Sequence, residues 1–103
     1  MTALNQKQRK HLKGLAHHLV PYVQIGKSGL TDAVTKELMR ALSDHELVKT
    51  QIAEDDRALF SELSLALAQA TGSELVFTMG RKATFFKQSP VQDKRIISRA
   101  LPR

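Results

Sequence analysis

The chain contains no cysteine. This excludes a disulfide framework, a thiolate metal site and a cysteine nucleophile. No N-terminal apolar run has signal-peptide length, and no stretch approaches the ~18 apolar residues of a membrane-spanning helix. These absences predict a soluble, cytoplasmic protein with no membrane partner. Acids are missing from residues 1–29, which hold five bases: Lys7, Arg9, Lys10, Lys13 and Lys27. Internal repeats and linkers are missing too, so the 103 residues read as a single domain with a modest core of its own.

The charge that is present is unevenly spread. The net charge is +6 and the pI is near 10.0, which suits a polyanionic partner. Residues 30–79 hold four bases against nine acids, and residues 80–103 hold seven bases against one acid. Both ends are basic and the middle is acidic. Either the ends meet in space as one basic surface, or they are two solvated tails.

Periodicity predicts the elements. From about Asn5 to His18, Leu12, Leu15, Ala16 and Leu19 form a helical stripe, with Lys7, Lys10, Lys13 and His17 opposite. Gly14 marks either a weak point in this helix or a close approach by another element. Pro21 ends it. Tyr22–Ile25 reads as a short strand. A helix follows from Thr31, its N-cap, to Ser43, with Lys36 and Arg40 on one exposed face. Glu46–Ile52 alternates as a strand. Glu54-Asp55-Asp56 reads as the charged start of a third helix, from about Asp55 to Thr71, closed by Gly72. Leu75–Met79 and Thr84–Gln88 form a hairpin around Gly80-Arg81-Lys82. Alternation aims one of Phe85 and Phe86 at the core and the other outward, where it either stacks on a base or lies under a second layer. From Ser89 on, Lys94, Arg95, Arg99 and Arg103 belong to a basic tail expected to be partly extended and mobile. The order helix, strand, helix, strand, helix, strand, strand predicts an α/β fold, a two-layer sandwich with a mixed four-stranded sheet.

The candidate site is the turn Gly26-Lys27-Ser28-Gly29, set between a strand and a helix. Its glycines allow positive φ and leave no Cβ in a partner's way. The helix N-terminus and Lys27 add positive potential, which together make a seat for a phosphate. The alternative is a tight connection that needs glycine and nothing more. A nucleotide-hydrolysing P-loop does not fit, because it requires glycine at position 21, where Pro21 stands. His11, His17, His18 and His45 lack metal-ligand spacing, and Ser28 has no evident His and Asp partners. No catalytic residue, cofactor, metal or small-molecule substrate is expected.

Gly-x-x-Gly at a helix start is also how KH domains clamp a nucleic acid backbone. Four ordered blocks sharpen the comparison: Leu12-Lys13-Gly14-Leu15-Ala16-His17, Val23 to Thr31, His45-Glu46-Leu47-Val48-Lys49, and Leu101-Pro102-Arg103. Through them the chain resembles the CRM-domain family of RNA-binding proteins, in particular its small bacterial single-domain (YhbY-type) members. The resemblance implies a fold similar to the C-terminal domain of translation initiation factor three, with an added N-terminal helix. It implies an RNA-binding surface beside Gly26, Lys27, Ser28 and Gly29, and a role with precursors of the large ribosomal subunit. The expected partner is therefore ribosomal RNA, bound without catalysis by a monomer. The expected contacts are that loop with Lys7, Arg9, Lys10, Lys13, Lys36, Arg40, Arg81 and Lys82. A protein–protein adaptor that meets the ribosome through a protein is the alternative.

Overall fold

Asn5 starts the first helix, α1 (Gln6–Ala16), in a capping box. Its Oδ1 accepts from the Gln8 N–H at 2.7 Å, and Gln8 Oε1 accepts from the Asn5 N–H at 3.1 Å. The computed structural model describes residues 4–103. After α1 come β1 (Val23–Ile25), α2 (Asp32–His45), β2 (Leu47–Ile52), α3 (Arg57–Thr71), β3 (Glu74–Met79) and β4 (Lys82–Phe86). A 3₁₀ turn at Gln92–Lys94 and the short α4 (Ile96–Arg99) complete the chain. The α/β order and the four-stranded mixed sheet agree with the sequence reading. The strands lie in the order β1-β2-β4-β3, with β1 parallel to β2 and the other pairs antiparallel.

Strand alternation divides the core. Val23, Ile25, Val48, Ile52, Ala83 and Phe85 face α2 and α3, where they meet Leu38, Leu42, Phe60 and Leu67. Leu47, Val76 and Phe86 face the other way and meet Leu12 and Ala16 of α1. Helices thus cover both faces of the sheet, so the expected two-layer sandwich is corrected to three layers with α1 as the third, and Phe85 and Phe86 are both buried. Of the two alternatives for the second ring, cover by another layer is the one that forms: α1 packs over Phe86, which leaves neither ring of this pair for base stacking.

The stripe of α1 is narrower than its spacing implied. Leu12 and Ala16 are fully buried, but Leu15 is 37% exposed. At about 100° per residue, Leu15 lies about 80° from the line between Leu12 and Ala16, at the margin of a contact with a flat sheet. Gly14 marks no close approach, since a Cβ there would meet nothing within 4 Å.

The C-terminal segment folds back rather than running extended. Glu46 ends α2 with φ +64° and is fully buried. Its carboxylate accepts from the N–H of Ser89 at 2.8 Å and of Ser98 at 2.9 Å. Ser89 Oγ donates to the Ser43 carbonyl at 2.6 Å, and Arg95 Nε donates to the Ser89 carbonyl at 2.7 Å. Ile97 and Leu101 pack against the α1 core. Apolar side chains and a buried acceptor therefore anchor the segment that composition alone presents as a charged tail.

Candidate nucleic-acid interface

The Gly26–Gly29 loop leaves β1 as a β-turn, with the Gly29 N–H donating to the Gly26 carbonyl at 3.0 Å. The two glycines differ. Gly29 has φ +67°, and a Cβ there would meet the Leu63 side chain at 3.6 Å. Gly26 has no positive φ, and a Cβ there would meet nothing within 4 Å. Gly29 is accounted for by the backbone; nothing within the fold requires glycine at 26. Lys27 and Ser28 are exposed. Leu30 then leads to Thr31, whose Oγ1 accepts from the Val34 N–H at 3.2 Å and starts α2.

The β3–β4 turn stands at the same end of the sheet. Ile52 closes β2 by donating to the Arg81 carbonyl at 2.8 Å, and Ala53 donates to the Ile25 carbonyl at 2.9 Å. The hairpin turn is therefore Gly80-Arg81, and Lys82 is the first residue of β4. Acids share this end. Arg81 is paired with Asp55. A groove of about 340 Å³ beside Ser28 and Gly29 is lined on its α3 side by Glu54 and Glu62. The acidic middle of the chain thus brings acids to one side of the loop.

The remaining candidates divide between the two faces. Lys7 and Lys10 are exposed on α1, and the Lys13 ammonium lies 5.5 Å from the centre of the Phe77 ring. Arg9 is half-exposed but tied to the sheet. It donates to the Leu75 carbonyl at 2.9 Å and pairs with Glu74 at 3.1 Å, which makes it a brace between α1 and β3. Lys36 and Arg40 project from α2, on the opposite face of the sheet, with Glu37 between them. One continuous surface of all these bases is therefore not formed, because α1 and α2 pack against opposite faces.

A row that the sequence reading did not single out runs across the α1 side. Gln24 pairs with Gln51, Gln51 with Lys82, and Lys82 with Met79. All four are exposed, and α1 leaves this row uncovered. Lys49 projects from the same face, its Nζ donating to the Leu19 carbonyl at 3.1 Å. The signal was the alternation of Tyr22 and Gln24 against buried Val23 and Ile25, repeated by Lys49 and Gln51 in β2. Lys82, Lys49 and Lys13 lie on the α1 side of the sheet, and the loop itself also borders the groove that carries Glu54 and Glu62. Among the described residues, no helix is long and apolar enough to cross a membrane.

Comparison with known proteins agrees with this architecture. The model of the CRS1 / YhbY (CRM) domain matches residues 4–87. A Pseudomonas aeruginosa protein named a probable RNA-binding protein is 41% identical over 98 residues, which span 91% of this chain and 90% of that protein. A Haemophilus influenzae protein named an RNA-binding protein is 40% identical over 89 residues, 86% of this chain and 90% of its own. The solution structure of a hypothetical protein from Staphylococcus aureus superposes with a TM-score of 0.81 at 31% identity, covering 97% of this chain and all of that one. The chain belongs to the CRS1/YhbY (CRM) domain family.

Proposed function

We propose that this protein binds RNA without catalysis, acting as a cytoplasmic monomer on ribosomal RNA during assembly of the large ribosomal subunit. The observation that carries the reading is the exposed Gly26–Gly29 loop, with an unobstructed α-carbon at Gly26, in a family whose members are named as RNA-binding. The ribosomal assignment rests on the resemblance to the small bacterial CRM proteins. The loop and Lys27 take the RNA backbone. Lys13 and Lys82 neutralise phosphates along the α1 side, with Lys7 and Lys10 extending that field. Arg9 acts chiefly as a brace, and Arg81, in an exposed pair with Asp55, brings a partly neutralised charge. Lys36 and Arg40 serve a more distant part of the RNA.

Salt dependence tests the reading. Five to eight phosphate contacts give a log–log slope of roughly −3.5 to −5.6 on single-stranded RNA, at about −0.7 per contact. The adaptor reading draws on the acidic groove and on exposed Leu59 and Leu65, and it predicts a slope near zero. Crosslinking in cells, followed by sequencing of the bound RNA, checks the ribosomal target; recovery of no ribosomal RNA contradicts it.

A further inference from the structure

β1 is short, and it pairs with β2 only from Val23 and Thr50 onward. Before that point, β2 is bordered by the irregular stretch from Leu19 to Tyr22, and a cavity of about 400 Å³ opens there. Its walls carry three ring side chains, those of His18, Tyr22 and His45, together with Lys49. Tyr22 meets His45 edge to face, with ring centroids 5.0 Å apart and an interplanar angle of 66°. The tyrosine is nevertheless 60% exposed, so much of its ring remains open. The bond to the Leu19 carbonyl fixes the Lys49 ammonium and leaves two of its three donors for a ligand. None of the described residues lining the cavity is acidic, whereas Glu54 and Glu62 line the groove beside the loop.

Charge and shape together select the occupant. Aromatic side chains beside a cation, in a concave apolar site, are what an unstacked base requires. The volume lies within the range of small-ligand sites. Tyr22 and Gly26 flank the extended β1, four residues apart, about 13 Å at ~3.3 Å per residue. A single RNA strand held at the loop reaches the cavity within a few nucleotides.

We propose that this cavity takes one nucleobase of single-stranded RNA, which stacks on Tyr22 and turns its acceptor edge to Lys49. The proposal rests on the RNA-binding reading and adds to it a site for a base rather than for backbone. Two acceptors side by side, as on the O6 and N7 edge of guanine, suit the lysine best.

The chain has a single tyrosine and no tryptophan, so its intrinsic emission reports on this site alone. The probes are an alternating G/U octamer and an abasic octamer of equal charge, each followed also by anisotropy of an end label. The G/U octamer quenches the tyrosine as it saturates, and the abasic octamer binds with little quenching. Tyr22→Ala weakens the G/U octamer about tenfold, equivalent to about 1.4 kcal/mol, and leaves the abasic octamer unchanged. Tyr22→Phe keeps the ring and retains the base-dependent affinity. Unchanged emission at saturation overturns the base site while leaving RNA binding intact. So does equal G/U affinity of the wild type and Tyr22→Ala. Failure to bind either octamer overturns both readings.

Discussion

Replacing Glu46 by alanine should be among the most damaging single changes in this fold. Glu46 is fully buried, and its two carboxylate oxygens accept from the Ser89 and Ser98 backbone N–H groups. Hydrogen bonds to a charged group contribute about 1.5–3 kcal/mol each, so the pair amounts to roughly 3–6 kcal/mol. Alanine also leaves the positive φ of +64° in place, so the change relieves no backbone strain. Domains of this size are stable by only about 5–15 kcal/mol. At about 4 °C per kcal/mol, the melting temperature should fall by at least about 12 °C. Glu46→Gln should fall in between: its amide oxygen still accepts one N–H, while its NH₂ faces the other donor. Circular dichroism melting measures the loss, and amide exchange of Ser89 and Ser98 locates it. A Glu46→Ala variant that melts within about 2 °C of the wild type would refute the anchoring role.

Gly29→Ala should cost on the order of 1 kcal/mol, because φ is +67° there, while Gly26→Ala should melt like the wild type; equal effects in the two variants would contradict the distinction drawn between these glycines. Leu12→Ala removes a fully buried side chain from the α1 core and should cost about 2–5 kcal/mol, read by denaturant unfolding; a cost below ~1 kcal/mol would show that α1 is loosely held. The Lys94 ammonium, hydrogen-bonded to Asp44, holds that carboxyl below the usual carboxylate range. A lowered folded-state pKa contributes stability above the unfolded pKa, and this is lost as pH falls through the folded one. In Lys94→Ala the Asp44 carboxylate should therefore titrate at higher pH by NMR, and an unchanged midpoint would contradict the pairing.

Much of the fold was legible because local chemistry and tertiary packing agree. The caps at Asn5, Thr31 and Asp56, the left-handed Gly72 and the strand alternation all form as their residue types favour. What stayed hidden depends on partners far apart in sequence. Glu46 looks like a strand's first residue until Ser89 and Ser98 arrive, 43 and 52 residues later. The tail reads as basic and mobile because charge dominates its composition, yet Ile97 and Leu101 reach the core. The loop was visible from its two glycines. The acids beside it were not, because Glu62 lies on a helix that only the fold brings there. Arg9 and Lys10 are equivalent cations in sequence; only the position of β3 turns the first into a brace.

The affinity of Gly26→Asp for single-stranded RNA, measured beside its melting temperature, tests the role of the Gly26–Gly29 loop most directly. A Cβ at position 26 has open space around it, so this variant should fold and melt like the wild type. It places a negative charge where the RNA phosphate is proposed to lie. Lys27→Ala removes one contact, which should weaken binding modestly and shallow the salt slope by about 0.7. A folded Gly26→Asp that has lost far more affinity than Lys27→Ala is the predicted result. A folded Gly26→Asp that binds RNA as tightly as the wild type would contradict it, and would reduce the loop to a connector between β1 and α2.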